Sequence, residues 1–235
     1  MIKKTGIIIT AGGAGLRMKS KIKKQYMEIN GFPVLYYSLK TFDEYNFKDK
    51  ILVVPQSDLN FVSESILKKY GFKNYNLTAG GETRHHSVYN GLQKINGCNY
   101  ILIHDGVRPF TTKKTISNVL KKLFQKNIAG VIPVINLKDT IKKINNGKVV
   151  ATLDRSELAA IQTPQGFNYK ILAECYNNKF DELSHFTDDA SILEKNGFDI
   201  HVVEGDETNI KITTGLDITY ADYYLSKINK PGRFS

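Results

Sequence analysis

The chain has no tryptophan, only two cysteines and only six prolines in 235 residues, and each shortage removes a class of protein. Cys98 and Cys175 stand far apart and in no metal-ligating spacing. A disulfide-stapled scaffold and a zinc module are both excluded, and free thiols in a reducing cytoplasm are expected. Long apolar runs are absent too. The first, beginning at Ile7, stops at Ala11 before a glycine cluster, far short of the roughly 20 residues of a membrane span and without a signal-peptide cleavage pattern. No membrane partner is expected. Neither a repeat, a low-complexity tract nor a linker interrupts the sequence, so residues 1–235 read as a single domain. Acidic residues are in deficit, 23 against 33 basic ones, a net charge of +10. Such a balance attracts anions over long range. The basic residues are scattered, in Lys19 to Lys24, Lys113-Lys114, Lys121-Lys122 and Lys142-Lys143, and no aromatic platform is interleaved with them. They read as solvated faces, with Lys24 excepted, and nucleic acid is not the expected partner.

What is present begins with Gly6 to Tyr26, GIIITAGGAGLRMKSKIKKQY. Ile7 to Thr10 is a buried strand by its β-branched run, and Ala11-Gly12-Gly13-Ala14-Gly15 breaks it. Three glycines in five residues allow close backbone approach, so successive amides can form a concave site for phosphate oxygens. Arg17 and Lys24 add two cations at fixed spacing. A P-loop would require Gly-Lys-Ser/Thr where Gly15-Leu16-Arg17-Met18 stands, and a dinucleotide fingerprint would require Gly or Ala at Met18. Both are excluded. A glycine turn that binds nothing remains open at this point.

Downstream, strand and helix signals alternate. Glu28 to Gly31 is a short extended piece with a turn, Val34 to Tyr45 a helix, Lys50 to Pro55 a second buried strand, and Leu59 to Tyr70 a helix closed at Gly71. This is the pattern of a mostly parallel, Rossmann-like α/β sheet with helices on both faces and ligands beyond the carboxyl ends of its strands. Asn76 to Thr78 leads into Gly80-Gly81-Glu82-Thr83-Arg84-His85-His86-Ser87 and a helix through Leu92. Two glycines at a strand end let main chain approach a flat base, and Ser87 offers a hydroxyl; the same glycines could form a plain turn, with both histidines at the surface. Asn99 to Ile103 is a central strand ending in His104-Asp105-Gly106-Val107-Arg108-Pro109. Asp105 there could hold Mg²⁺, cap a helix or pair with Arg108. Lys113 to Gln125 is a helix and Gly130 to Pro133 a strand. Residues 134–153 then read as a β-arm, a hairpin turning at Asn145-Asn146-Gly147, which needs a partner surface because a lone ribbon is marginal in water. Gln162-Thr163-Pro164-Gln165 is a turn into a helix from Tyr169. Thr187 or Asp188 caps a further helix, Ile200 to Glu204 is a late strand, and Lys211 sits between Ile210 and Ile212 as a strand residue facing away from both. Leu216 to Ile228 closes the chain as a helix before a loose tail.

The AGGAGLRM and KKQY stretches resemble the nucleotide loop of the sugar-phosphate cytidylyltransferases, most closely the branch acting on 2-C-methyl-D-erythritol 4-phosphate in non-mevalonate isoprenoid biosynthesis. Six further stretches match in order: Gly80 to Val88, His104 to Pro109, Asp139-Thr140, Gln162 to Gln165, Thr187 to Ser191 and Asn209 to Thr213. One departure is Lys23, where the family usually has proline, which loosens the case for a rigid loop. The resemblance implies transfer of CMP from CTP to the 4-phosphate of methylerythritol phosphate with release of pyrophosphate. It places CTP on Ala11, Gly12, Gly13, Ala14, Gly15, Gly80, Gly81, Glu82, Ser87, Asp105 and Gly106, with Asp105 on Mg²⁺. Arg17 and Lys24 would serve the nucleotide phosphates, and Lys211 with Arg155 the incoming phosphate. Arg108, Thr140, Thr163 and Thr187 would complete the substrate site. The resemblance also implies a homodimer in which the arm presents Thr140 and Arg155 to the neighbouring subunit. D-ribitol-5-phosphate cytidylyltransferase is the nearest alternative, and a non-catalytic basic protein binding nucleic acid a distant one.

Overall fold

The protein is described from a computed structural model that covers residues 2–13 and 22–228. Ala14, Gly15, Arg17, the lysines at 19 and 21 and the tail beyond Ile228 lie outside the described residues. Strand β1 (Thr5–Thr10) is buried along its whole length, because it is the central strand and both faces are covered. A tight ribbon of β2 (Glu28–Ile29) and β3 (Phe32–Pro33) turns at Asn30 and Gly31, both at positive φ. It feeds α1 (Val34–Asp43), whose Leu35, Leu39 and Phe42 are fully buried. Next come β4 (Lys50–Val54), α2 (Leu59–Val62) continued by a wider π-helical turn over Ser63–Lys68, β5 (Asn76–Ala79) and α3 (Arg84–Leu92). The chain then recrosses to β6 (Tyr100–Asp105), α4 (Lys113–Leu123) and β7 (Gly130–Asn136).

β1, β4, β5 and β6 are parallel, in the order β6-β1-β4-β5. The connections therefore run outward from β1 in one direction and then jump to its other side. That reversal opens a crevice beyond the carboxyl ends of β1 and β6, where ligands of such sheets bind. The alternation within β1 sorts the core into two layers. Ile7 and Ile9 pack with Leu35, Leu39, Phe42, Leu52 and Ile116 on one face, while Ile8 packs with Val53, Val88, Leu92, Ile103, Phe167 and Leu172 on the other.

The arm is shorter than its hydropathy pattern implies. Val134 to Asn136 continue β7 in the main sheet, and the hairpin consists of β8 (Lys142–Asn145) and β9 (Lys148–Thr152), antiparallel around Asn146 and Gly147 at φ 47° and 74°. Two positive φ values give the primed turn that matches strand twist. The region from Gln162, expected to be a turn only, lies between two strands, β10 (Ala159–Ile161) and β11 (Gln165–Asn168). β10 is antiparallel to β7, and β11 is wedged antiparallel between β6 and β7. After α5 (Tyr169–Asn178), α6 (Asp189–Lys195) starts at Asp188, whose carboxylate accepts from Ser191 N in a capping box. Thus Asp188, not Thr187, is the cap. Strand β12 (Ile200–Glu204) joins β7 in parallel, and α7 (Gly215–Ile228) ends the described chain. Lys211 is in no strand; Ile212 N donates to Val107 O (2.9 Å), which lays this coil along the β6 exit.

Candidate active site

At the carboxyl ends of β1, β5 and β6 a cleft of about 260 Å³ is lined by Thr10, Ala11, Gly12 and Gly13, by Lys24, by Gly81 to Arg84 and Ser87, and by Asp105, Val107 and Lys211. The walls follow from local chain chemistry. Ala11 N donates to Val53 O (2.8 Å) and Gly80 N to Val54 O (2.7 Å), so each loop leaves the sheet only after its strand has been pinned. Thr83 then caps α3, its hydroxyl accepting from His86 N (3.3 Å). The α3 amino terminus consequently faces the cleft beside the glycine loop, a favourable place for anions.

Asp105 is the electrostatic centre. Its Oδ1 accepts from Arg84 Nε (3.0 Å), and its Oδ2 lies 2.7 Å from Lys211 Nζ and 4.0 Å from Arg108 Nε. Burial opposes the carboxylate's charge, but Arg84, Lys211 and Arg108 outweigh it and hold the group well below the usual carboxylate range. Beneath it, Asp105 N donates to Thr163 Oγ1 (3.1 Å), and Thr163 meets His104 Nδ1 (3.0 Å). The other ring nitrogen of His104 faces Arg108 O (3.3 Å). A carbonyl can only accept, so Nε2 carries the proton and the Thr163 hydroxyl donates to Nδ1. His104 is completely buried, and burial pushes its pKa down to about 3.

Several expected site residues come together: Ala11, Gly12, Gly13, Lys24, Gly81, Glu82, Ser87, Asp105 and Lys211 all line this cleft. Others stand behind it. A side chain on Gly106 would press on Thr10 O (3.1 Å) and Leu35 (3.0 Å), and one on Gly80 would meet Ser87 Oγ at 2.7 Å, so both glycines serve close packing. Arg108 donates to Asn209 O (2.8 Å) and Ile161 O (3.3 Å), bracing the loop instead of facing the lining. Thr163 is buried under Asp105, and Thr187 is exposed outside the lining. Thr140 and Arg155 are exposed at the root of the arm, where Arg155 Nη1 donates to Lys138 O (2.7 Å).

Arg84 is the residue that sequence reasoning missed. Its guanidinium bridges Asp105 and, through Nη2, the fully buried Asp189 (2.8 Å), which also accepts from Tyr176 OH. Its Nη1 is buried without a hydrogen-bond partner among the described residues. A cation in the first turn of a helix opposes the dipole, and that anomaly is the one local sign of an acid waiting nearby. His85, readable as a surface residue, is buried as well. Among the described residues no group of three or more His, Cys, Asp or Glu is arranged to hold a metal ion. Asp105 is a hard oxygen donor of the kind Mg²⁺ takes, but its Oδ1 is paired with Arg84 and its Oδ2 with Lys211, so it could serve as a protein ligand to such an ion only where Lys211 gives up its contact.

The comparisons with known proteins agree with this architecture. Residues 5–227 match the family model described as IspD, 2-C-methyl-D-erythritol 4-phosphate cytidylyltransferase. The enzyme of that name from Clostridium beijerinckii is 43% identical, over 94% of this chain and 98% of the relative. The one from Lachnoclostridium phytofermentans is 42% identical over 95% and 97%. Among solved structures, 4-diphosphocytidyl-2C-methyl-D-erythritol synthase from Anaerococcus prevotii superposes with a TM-score of 0.82 at 35% identity, covering 95% of this chain and 96% of that one. The Francisella tularensis 2-C-methyl-D-erythritol 4-phosphate cytidylyltransferase gives 0.79 at 30% identity, over 94% and 99%. With the cleft at the sheet's switch point and a match running through nearly the whole sequence, the chain belongs to the 2-C-methyl-D-erythritol 4-phosphate cytidylyltransferase family.

Proposed function

We propose that this cleft transfers CMP from CTP to 2-C-methyl-D-erythritol 4-phosphate, yielding 4-diphosphocytidyl-2-C-methyl-D-erythritol and pyrophosphate. The observation that carries the assignment of roles is the convergence of Lys24, Arg84 and Lys211 on a glycine-walled cleft, the last two paired with the Asp105 carboxylate. An oxygen of the 4-phosphate attacks the α-phosphorus in line, and the bond from that phosphorus to the bridging β-oxygen breaks. A phosphate monoester needs no general base, so the protein's work is alignment and stabilisation of charge. Lys24, with Arg17 from outside the described residues, is assigned to the α-phosphate and the departing pyrophosphate. Gly81 and Ser87 border the place proposed for the base, with Gly80 packed behind Ser87. Lys211 is assigned to the incoming phosphate, exchanging its contact with Asp105 for one with substrate. Mg²⁺ belongs to the same proposal: Asp105 would hold it, and the ion would neutralise phosphate charge.

The arm completes the reading as a homodimer. Ile144, Val149 and Val150 are each more than half exposed, and such a ribbon needs a surface to cover it. A second copy would cover them and receive Thr140 and Arg155 at its own cleft, where a guanidinium can grip phosphate through paired donors. Two buried free cysteines favour a reducing, cytoplasmic location. No helix among the described residues is long and apolar enough to cross a membrane. Supplying CTP, Mg²⁺ and either methylerythritol phosphate or ribitol phosphate while recording pyrophosphate tests the assignment. Release with the first substrate alone is expected, and release with neither would refute it.

A further inference from the structure

The segment that carries Lys24 is anchored on both sides of that residue. Gln25, fully buried, donates through Nε2 to Ala11 O (2.8 Å), tying the segment to the start of the glycine loop. On the other side Lys23 Nζ lies 2.6 and 2.7 Å from the two oxygens of Asp58. Tyr26 OH donates to Asp58 Oδ2 (2.9 Å) and Ser57 Oγ to Oδ1 (2.9 Å). The Tyr26 ring meets Phe61 edge-on at 5.1 Å. Asp58 is 11% exposed and Lys23 34%, so the pair is shielded enough to hold a geometry. Burial opposes ionisation of Asp58, but the hydrogen bonds from Lys23, Tyr26 and Ser57 outweigh it and lower its pKa.

Backbone geometry explains what the contact is for. Lys23 has φ −63° and ψ 137°, the extended entry to the turn Lys24–Tyr26. A proline would impose that φ covalently; a lysine leaves it to be held by its side chain. Neither Lys23 nor Asp58 lines the cleft, whereas Lys24 does. We propose that the Lys23–Asp58 ion pair is a clasp that positions Lys24, ordering residues 23–26 so that its amine meets the nucleotide phosphates in a set place. Lys23 and Asp58 are positioning residues, and the proposal rests on the reading of Lys24 as a phosphate contact.

Two measurements on the full chain test it, one of them blind to catalysis. Tyr26 N donates to Lys23 O (2.9 Å) and Met27 N to Lys24 O (3.3 Å), so hydrogen exchange at these amides reports the order of the turn. In Lys23→Gln and in Asp58→Asn exchange is expected to quicken by roughly tenfold, and kcat for pyrophosphate release to fall about tenfold, the effect of a misplaced catalytic group. Lys23→Arg, which keeps the pair, should retain both values, and the double variant should lose no more than either single one. Unchanged exchange in Lys23→Gln would overturn the clasp. Quickened exchange with unchanged kcat would overturn its role in positioning Lys24. A parent chain that releases no pyrophosphate would refute the activity instead, with the exchange comparison still deciding the clasp.

Discussion

His104, buried outside the cleft lining, shows how one side chain governs the fold's response to acid. Burial holds its folded pKa near 3, against an ordinary value of about 6.5 in the unfolded chain. The unfolded state therefore binds the proton first. The stability linked to neutral His104 is complete above about pH 6.5 and is lost as pH falls toward the folded value, at up to about 1.4 kcal/mol per pH unit. Urea midpoints at pH 7 and pH 5 should show the loss, and His104→Gln should flatten it even if its own midpoint is lower. Lys24 behaves oppositely. Placed to meet charge that develops during reaction, it should cost on the order of 3 kcal/mol in transition-state stabilisation when changed to alanine, with a melting temperature close to that of the parent. Turnover in Lys24→Ala near the parent's would contradict the role. At this scale the sequence was partly legible. Asp105 and Lys211 lie 106 positions apart yet sit 2.7 Å from each other; the family resemblance of the stretch around each points to both, although the strand expected around Lys211 is coil. Arg84 was not, because its meaning resides in Asp189, buried on another element and 105 residues away.

The elements divide by how they are stabilised. β1, β4 and β6 are apolar runs and α4 is an amphipathic stripe, so hydropathy alone places them. β11 escaped because Gln165-Gly166-Phe167-Asn168 has neither alternation nor an apolar run; its polar residues look outside the strand, with Gln165 Nε2 donating to Asp188 Oδ2 (2.7 Å) while its Oε1 is buried without a partner among the described residues, and Asn168 Oδ1 capping α5 by accepting from Ile171 N (3.2 Å). Its glycine is dictated by packing that no local pattern shows. A Cβ on Gly166 would lie 2.7 Å from Val119 and 3.0 Å from Leu123, both on α4. Gly166→Ala should cost about 1–3 kcal/mol by overpacking, read from the urea midpoint, and pyrophosphate release at saturating substrate should change little because neither Gly166 nor Val119 nor Leu123 lines the cleft. The cap of α6 is a second case. Asp188→Ala removes both the helix cap and the partner of Gln165, and a loss of at least about 1 kcal/mol is expected.

For the whole molecule, the proposed pairing of subunits makes a prediction that no single-chain variant can. Arg155→Ala and Lys24→Ala would each inactivate a homodimer, since every cleft would lack one cation. In a verified mixed dimer, one cleft combines both defects and the other has neither. Activity near half that of the parent is expected of the isolated mixed dimer, and its absence would argue against a cleft shared between chains. The net charge of +10 acts at the same scale: it draws in two polyanions from a distance, so kcat/KM should fall as ionic strength rises.

The base of the hairpin has a consequence for engineering the molecule. Asn136 and Ala159 are paired neighbours in β7 and β10, so the chain leaves the sheet and re-enters it at almost the same point. Everything between them is an excursion that the core does not need for its register. A version in which residues 138–157 are replaced by a short turn should fold as a solitary subunit, retain affinity for CTP in calorimetry and yet be silent toward the second substrate. Such a truncated chain would isolate the nucleotide half of the reaction and allow it to be titrated on its own.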